Sequence, residues 1–151
     1  MKFERSISIC CTPEEVFAFL RDKDEFEQEP DSPVLSLDKT TPGKVKVGTE
    51  YVEIVQMFPF LKGVIYSEIQ LFEPPKKLEE SFRGTGMDGY LAYEFIPEGK
   101  NTLLVQREDI SFHGVFRLFS PIMNRMLLKA VEARLKEIKF YLENKKTQGT
   151  D

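Results

Sequence analysis

The chain has 151 residues and a mass of 17.5 kDa, the size of one domain. It carries 21 Lys and Arg against 25 Asp and Glu, a net charge of −4, which argues against a non-specific nucleic-acid binder. Every apolar run falls short of the ~18–20 residues of a membrane-crossing helix, and no signal-peptide core follows Met1, so we expect a cytoplasmic protein with no integral membrane association.

Lys2 to Cys11 alternates, with Phe3, Ile7 and Ile9 on one side and Glu4, Ser6 and Ser8 on the other, which predicts a half-buried strand. Adjacent Cys10 and Cys11 on a strand point to opposite faces and cannot form an ordinary disulfide. With His113 as the sole histidine, two Cys and one His fall short of the four ligands of a structural zinc site. Thr12-Pro13-Glu14-Glu15 is a helix start with Thr as N-cap, Pro at the first turn and Glu three residues on. Val16, Phe17, Phe19 and Leu20 give that helix its apolar side. A second short acidic helix is predicted over Asp22–Glu29, then a strand over Val34–Leu37 and a turn at Thr41–Lys44.

From Gly48 onward the pattern is a meander of strands: Thr49–Met57, Val64–Phe72, Leu78–Arg83, a strand from Met87 or Tyr90 to Ile96, and Thr102–Ile110. Short polar turns between them predict antiparallel neighbours. The period then changes. Ser120-Pro121 is an N-cap plus N1 pair, and Met123, Leu127, Val131, Leu135, Ile138 and Leu142 recur at helical spacing, so a long amphipathic helix is predicted over Pro121–Glu143. The domain is expected to span residues 1–144, with residues 145–151 a polar, disordered tail.

Seven strands at about 4.8 Å spacing form a sheet some ~30 Å wide, and one helix at ~10 Å covers only part of it. The sheet must curl round the helix, an arrangement that often leaves a cavity.

Several segments resemble the START-like (SRPBCC) superfamily, which includes polyketide cyclase/dehydrase-like proteins. They are Phe3–Ile9 with Thr12–Leu20, Val47–Glu53, Leu71–Leu78, Tyr93–Thr102 and Arg134–Glu143, in family order over nearly the whole chain. The resemblance implies an α+β helix-grip fold, a seven-stranded antiparallel curled sheet around a long C-terminal helix, with a hydrophobic cavity between them. It implies a hydrophobic small molecule or lipid as partner and carries over no catalytic residue; no cofactor is expected. No paired Cys and His ligands for an iron–sulfur centre are present.

Candidate cavity residues follow from strand alternation. On the Thr49 strand, Tyr51 and Glu53 are favoured inward by the resemblance. On the Val64 strand, Tyr66 and Glu68 share one face and Ile65, Ser67 and Ile69 the other, and the sequence leaves the choice open. Arg83, Tyr93, Phe95 and Arg107 are candidates on the later strands. Phe119, Met123, Met126 and Leu127 are candidates at the start of the long helix, where Met offers adaptable contact. The four charged candidates either orient a ligand in the cavity or form cross-strand pairs on the solvated face. His113 reads as an exposed loop residue, with a general base as the alternative.

Two loops are unexpectedly apolar. Phe58, Phe60 and Leu61 fall in a hairpin, and Phe116 precedes the long helix. They form a cavity mouth, fold back as core or pair two copies, so a monomer and a homodimer both stay open, as does transient membrane contact. Three functions are compatible with the residues: holding a hydrophobic small molecule or lipid, cyclase or dehydratase chemistry on a polyketide-like substrate, and docking of a partner chain through the apolar loops.

Overall fold

A computed structural model describes residues 1–26 and 32–149. Strand β1 (Lys2–Ile9) leads to helix α1 (Pro13–Arg21) and a single 3-10 turn (Lys23–Glu25). Strands β2 (Val34–Lys39), β3 (Glu50–Phe58), β4 (Leu61–Glu73), β5 (Lys77–Gly84), β6 (Met87–Glu98) and β7 (Asn101–Phe112) follow. Helices α2 (Val115–Leu118) and α3 (Ser120–Gln148) close the chain. The seven strands form one antiparallel sheet in the order β1-β7-β6-β5-β4-β3-β2. The N-terminal strand therefore pairs with the last one, and the meander fans out from it.

The start of α1 follows its local chemistry. The Glu15 backbone N–H donates to Thr12 Oγ1 at 3.3 Å, and the Thr12 N–H donates to Glu15 Oε2 at 2.7 Å. This reciprocal pair satisfies two of the donors that a helix start leaves free. Val16, Phe17, Phe19 and Leu20 are buried from the same helix. Of the acidic helix expected over Asp22–Glu29, the described part is the turn Lys23–Glu25; Glu27 to Glu29 lie outside the described residues.

Helix α3 differs from expectation at both ends. Ser120 is already helical and Phe119 is the cap, because α2 delivers the chain in helical form: the Ile122 and Met123 N–H groups both donate to the Phe119 carbonyl. At the far end α3 runs to Gln148, four residues into the stretch expected to be a disordered tail. Thr147 Oγ1 donates to the Glu143 carbonyl at 3.0 Å, the Gly149 N–H donates to the Lys145 carbonyl, and Lys145 and Lys146 suit the negative end of the helix dipole.

Two apolar clusters fill the concave side. The larger joins β1, α1 and the C-terminal half of α3, through Ile9, Phe17, Leu20, Phe95, Leu104, Leu135 and Ile138 among others. The smaller joins the β3–β4 hairpin, α2 and the N-terminal half of α3, through Met57, Met87, Ile110 and Met123, with Phe58, Phe116 and Leu127 packed against them. Gly86 (φ 74°) closes the β5–β6 turn beneath the Phe116 ring, where an added Cβ would stand 2.0 Å from a ring carbon. Ile138 is fully buried while Leu127 is only half-buried. We expect Ile138→Ala to cost about 2–5 kcal/mol in urea unfolding, and Leu127→Ala clearly less.

Candidate functional site

Register decides what faces the helix, since residues paired across antiparallel strands share a face. Glu80 lies opposite Ile69 and Leu91, Tyr93 opposite Leu78 and Gln106, and Glu108 opposite Phe3 and Leu91. Tyr51 lies opposite Ser67, and Glu53 opposite Ile65 and Leu37. The concave face thus carries a row of polar groups between the two apolar clusters: Glu53, Ser67, Glu80, Gln106 and Glu108.

Lys23, from the turn after α1, reaches into this row. Its Nζ donates to both Glu80 carboxylate oxygens, at 2.8 and 2.7 Å, and stands 3.9 Å from Glu53 Oε1. The ammonium also lies 4.5 Å from the centroid of the Tyr51 ring, a cation–π contact. Glu80 is only 3% exposed. Burial opposes the charge on Lys23, but Glu80 and Glu53 outweigh it and hold the ammonium above its usual range. On Glu53 the balance goes the other way: burial raises the carboxyl, Lys23 lowers it, and Glu80 raises it further.

Glu108 accepts a hydrogen bond from Gln106 Nε2 at 2.6 Å. Burial pushes its carboxyl up to about 7; the Gln106 bond opposes this and the charge of Glu53 adds to it. Burial likewise raises the phenols of Tyr51 and Tyr93, with Glu80 adding to both, so both remain neutral hydrogen-bonding groups. Gln106 is 3% exposed, and its Oε1, together with Ser67 Oγ and Asn124 Oδ1, is buried without a protein hydrogen-bond partner. Among the described residues no group of three or more His, Cys, Asp or Glu is arranged to hold a metal ion.

The sequence candidates divide between the two faces. Tyr51, Glu53, Tyr93 and Phe95 lie on the concave face, as do Met123 and half-buried Leu127 of α3. Tyr66, Glu68, Arg83 and Arg107 do not: all four lie on the opposite face of the sheet. Tyr66 pairs with Arg83 and Glu68 with Ser81, and these residues line an outer groove of about 740 Å³ with Tyr90, Asp88 and Asp109. Arg107 bridges Glu4 at 2.6 Å and Glu94 at 2.8 Å, both on that solvated face. The one-residue offset that separates the faces is set by pairing, and charge alone did not reveal it.

Met126 and Phe119 also point away from the core, 45% and 49% exposed. Of the expected mouth residues, Phe58 and Phe116 are half-buried at the smaller cluster and Leu61 is half-buried in the hairpin. Phe60 is exposed at the hairpin tip, its ring stacked 6.0 Å from that of Phe58. His113 is exposed, its Nε2 3.0 Å from Asp88 Oδ2. Cys10 is exposed, Cys11 buried, and both are free thiols.

Sequence reasoning passed over Lys23, Glu80, Gln106 and Glu108, and left Ser67 on the alternative face of its strand. A signal for the strand residues existed. Glu80 sits between Leu78 and Phe82 at period two, and Gln106 and Glu108 sit between Leu104 and Ile110. A polar residue in a period-two set bounded by large apolar ones shares their buried face. Lys23 carried no such signal, because a turn brings it in.

A curled antiparallel sheet closed by a long C-terminal helix, with polar groups set into an apolar concave face, defines a START-like helix-grip protein. The chain belongs to the polyketide cyclase / dehydrase and lipid transport family, whose profile matches residues 1–143. Among curated proteins no sequence match was found. The fold is similar to that of the Zhui aromatase/cyclase from a Streptomyces species, at TM-score 0.73 and 14% identity over 95% of this chain and 93% of that one. A Thermus thermophilus protein aligns at TM-score 0.73 and 18% identity, over 95% and 98% of the two chains. A START superfamily protein from Mycobacterium smegmatis aligns at TM-score 0.65 and 14% identity, over 91% and 98%. No described helix is long and apolar enough to cross a membrane.

Proposed function

We propose that this protein binds an amphipathic small molecule or lipid between the sheet and α3, with the ligand's polar group meeting the row formed by Glu53, Ser67, Gln106 and Glu108. The carrying observation is that Gln106 Oε1 and Ser67 Oγ are buried without partners within that row. An unpartnered buried polar atom costs about 1–3 kcal/mol, and a core selected for stability alone has no use for several of them beside three carboxyls. A ligand hydroxyl or amide reaching them would recover the lost hydrogen bonds, while its apolar body lies along the flanking clusters. The description of the family, with its cyclases and lipid transport, supports the same reading.

Mass spectrometry of freshly purified protein, native and then denatured, tests it. A small molecule present in the first spectrum and released in the second is the expected result. An empty protein that also leaves the fluorescence of bound 1-anilinonaphthalene-8-sulfonate unchanged on adding palmitate or a hydroxylated anthraquinone would sink it. For a bound ligand, Gln106→Leu is expected to weaken affinity about ten-fold, the loss of one buried hydrogen bond.

A second reading, cyclase or dehydratase chemistry on a polyketide-like substrate, rests on Glu108. A carboxyl held near 7 can both take and give a proton near neutral pH. Turnover of a released ligand by the wild type, with kcat lost in Glu108→Gln while binding is kept, would select the enzyme over the carrier.

A further inference from the structure

One end of the molecule combines exposed apolar side chains with unpaired positive charge. Phe60 at the β3–β4 tip is 89% exposed, Leu118 on α2 79%, and Ile122 on α3 58%, with Val115 and Met126 also exposed. These positions are held together from below. Phe58, Phe116, Met123 and Leu127 all belong to the smaller core cluster, which fastens the hairpin, α2 and the start of α3 to one base. On α3, Ile122 and Met126 lie one turn apart, on the side of the helix away from buried Val131. Arg125 and Lys129 flank them along a shallow groove of about 340 Å³.

Charge distribution separates this end from the rest. From Ile110 to Val131 the chain has no Asp or Glu but has Arg117, Arg125 and Lys129, within a protein of net charge −4. All three are exposed, and no ion pair among the described residues involves them. We propose that this end, formed by the Phe60 hairpin tip, α2 and the first turns of α3, docks on a membrane surface rich in anionic lipid. The apolar side chains would enter the headgroup boundary and the three cations would face lipid phosphates and carboxylates. A second copy meeting the same patch would bring Arg125 and Lys129 against their like, which disfavours a symmetric dimer here. The proposal goes beyond ligand binding and does not depend on it.

The test is co-sedimentation of the full chain with vesicles of phosphatidylcholine alone or with one third phosphatidylserine. We expect sedimentation with the anionic vesicles only, weakened by salt. Arg125→Glu with Lys129→Glu should lower partitioning about ten-fold or more, since each basic residue near such a surface is worth roughly a factor of five. Phe60→Ser and Ile122→Glu should each lower it with the melting temperature unchanged, as both side chains are exposed. Binding by wild type to neither vesicle, or equally to both, overturns the proposal. So does a charge-reversed pair that sediments like wild type, or a concentration-dependent dimer abolished by Ile122→Glu. Ligand release in the mass spectrum is read separately, so either result leaves the other standing.

Discussion

Replacing Lys23 with methionine is expected to cost about 3–5 kcal/mol in urea unfolding, the largest loss from any single substitution outside the apolar core. Lys23 Nζ is the cation that faces both oxygens of Glu80, and Glu80 is buried. Methionine keeps most of the aliphatic bulk, so the loss reports the orphaned carboxylate and not a cavity. Glu53 stands beside the same ammonium and adds like charge once it is gone. One control follows. Lys23→Met with Glu80→Gln should recover most of the deficit, since no buried charge is then left unpaired. A deficit that persists unchanged in the double variant would show that Lys23 acts through its methylene contacts instead.

The second large effect is a dependence on pH with an unusual sign. Glu108 has a carboxyl raised from an ordinary 4.5 to about 7 in the folded protein. Between those values the folded state holds a proton that the unfolded state has released, so stability falls as pH rises through this window. Below the unfolded value the protonated side chain costs nothing, and above about 7 the full penalty is present. A shift of this size corresponds to roughly 3 kcal/mol. Glu53 is raised as well and contributes in the same direction. Glu108→Gln should therefore match the wild type near about pH 4 and exceed it by roughly 2–3 kcal/mol near about pH 8.5. Guanidinium unfolding at both pH values measures this directly. Equal gains at both would mean that Glu108 is not buried as a titrating group.

Both expectations concern groups that weaken the apolar core. A chain folding for stability alone gains nothing by setting Glu53, Glu80 and Glu108 between two apolar clusters. Retaining such groups is common where a ligand must be oriented or a proton moved, which is why the proposed function is placed at this row and not at the outer groove, where the charges are solvated.

The elements of the fold and their order along the chain were legible in local patterns, while the pairing of β1 with β7 was not. Period-two alternation marked β1, runs bounded by turn residues marked the other six strands to within a few residues, the Thr12–Glu15 box marked the start of α1, and the apolar spacing from Met123 to Leu142 marked α3. These signals are local: each depends on residues a few positions apart, and one strand or one turn is enough to express them. The helix extension to Gln148 was missed because polar residues can continue a helix once it has been nucleated and its last carbonyls are capped. The site was only partly legible. Tyr51 and Glu53 were favoured inward by resemblance, but Glu68, Arg83 and Arg107 were grouped with them on charge, and they stand on the other side of the sheet. A strand's pattern gives two alternating sets, and when both contain apolar and charged residues only the pairing with its neighbours assigns them. Lys23 is the extreme case. Nothing near it in the chain announces a buried cation, because its partners Glu53 and Glu80 are 30 and 57 residues away. Local periodicity thus wrote the fold, while the tertiary structure alone decided which charges share the interior, since burial and ion pairing are properties of neighbours in space and not in sequence.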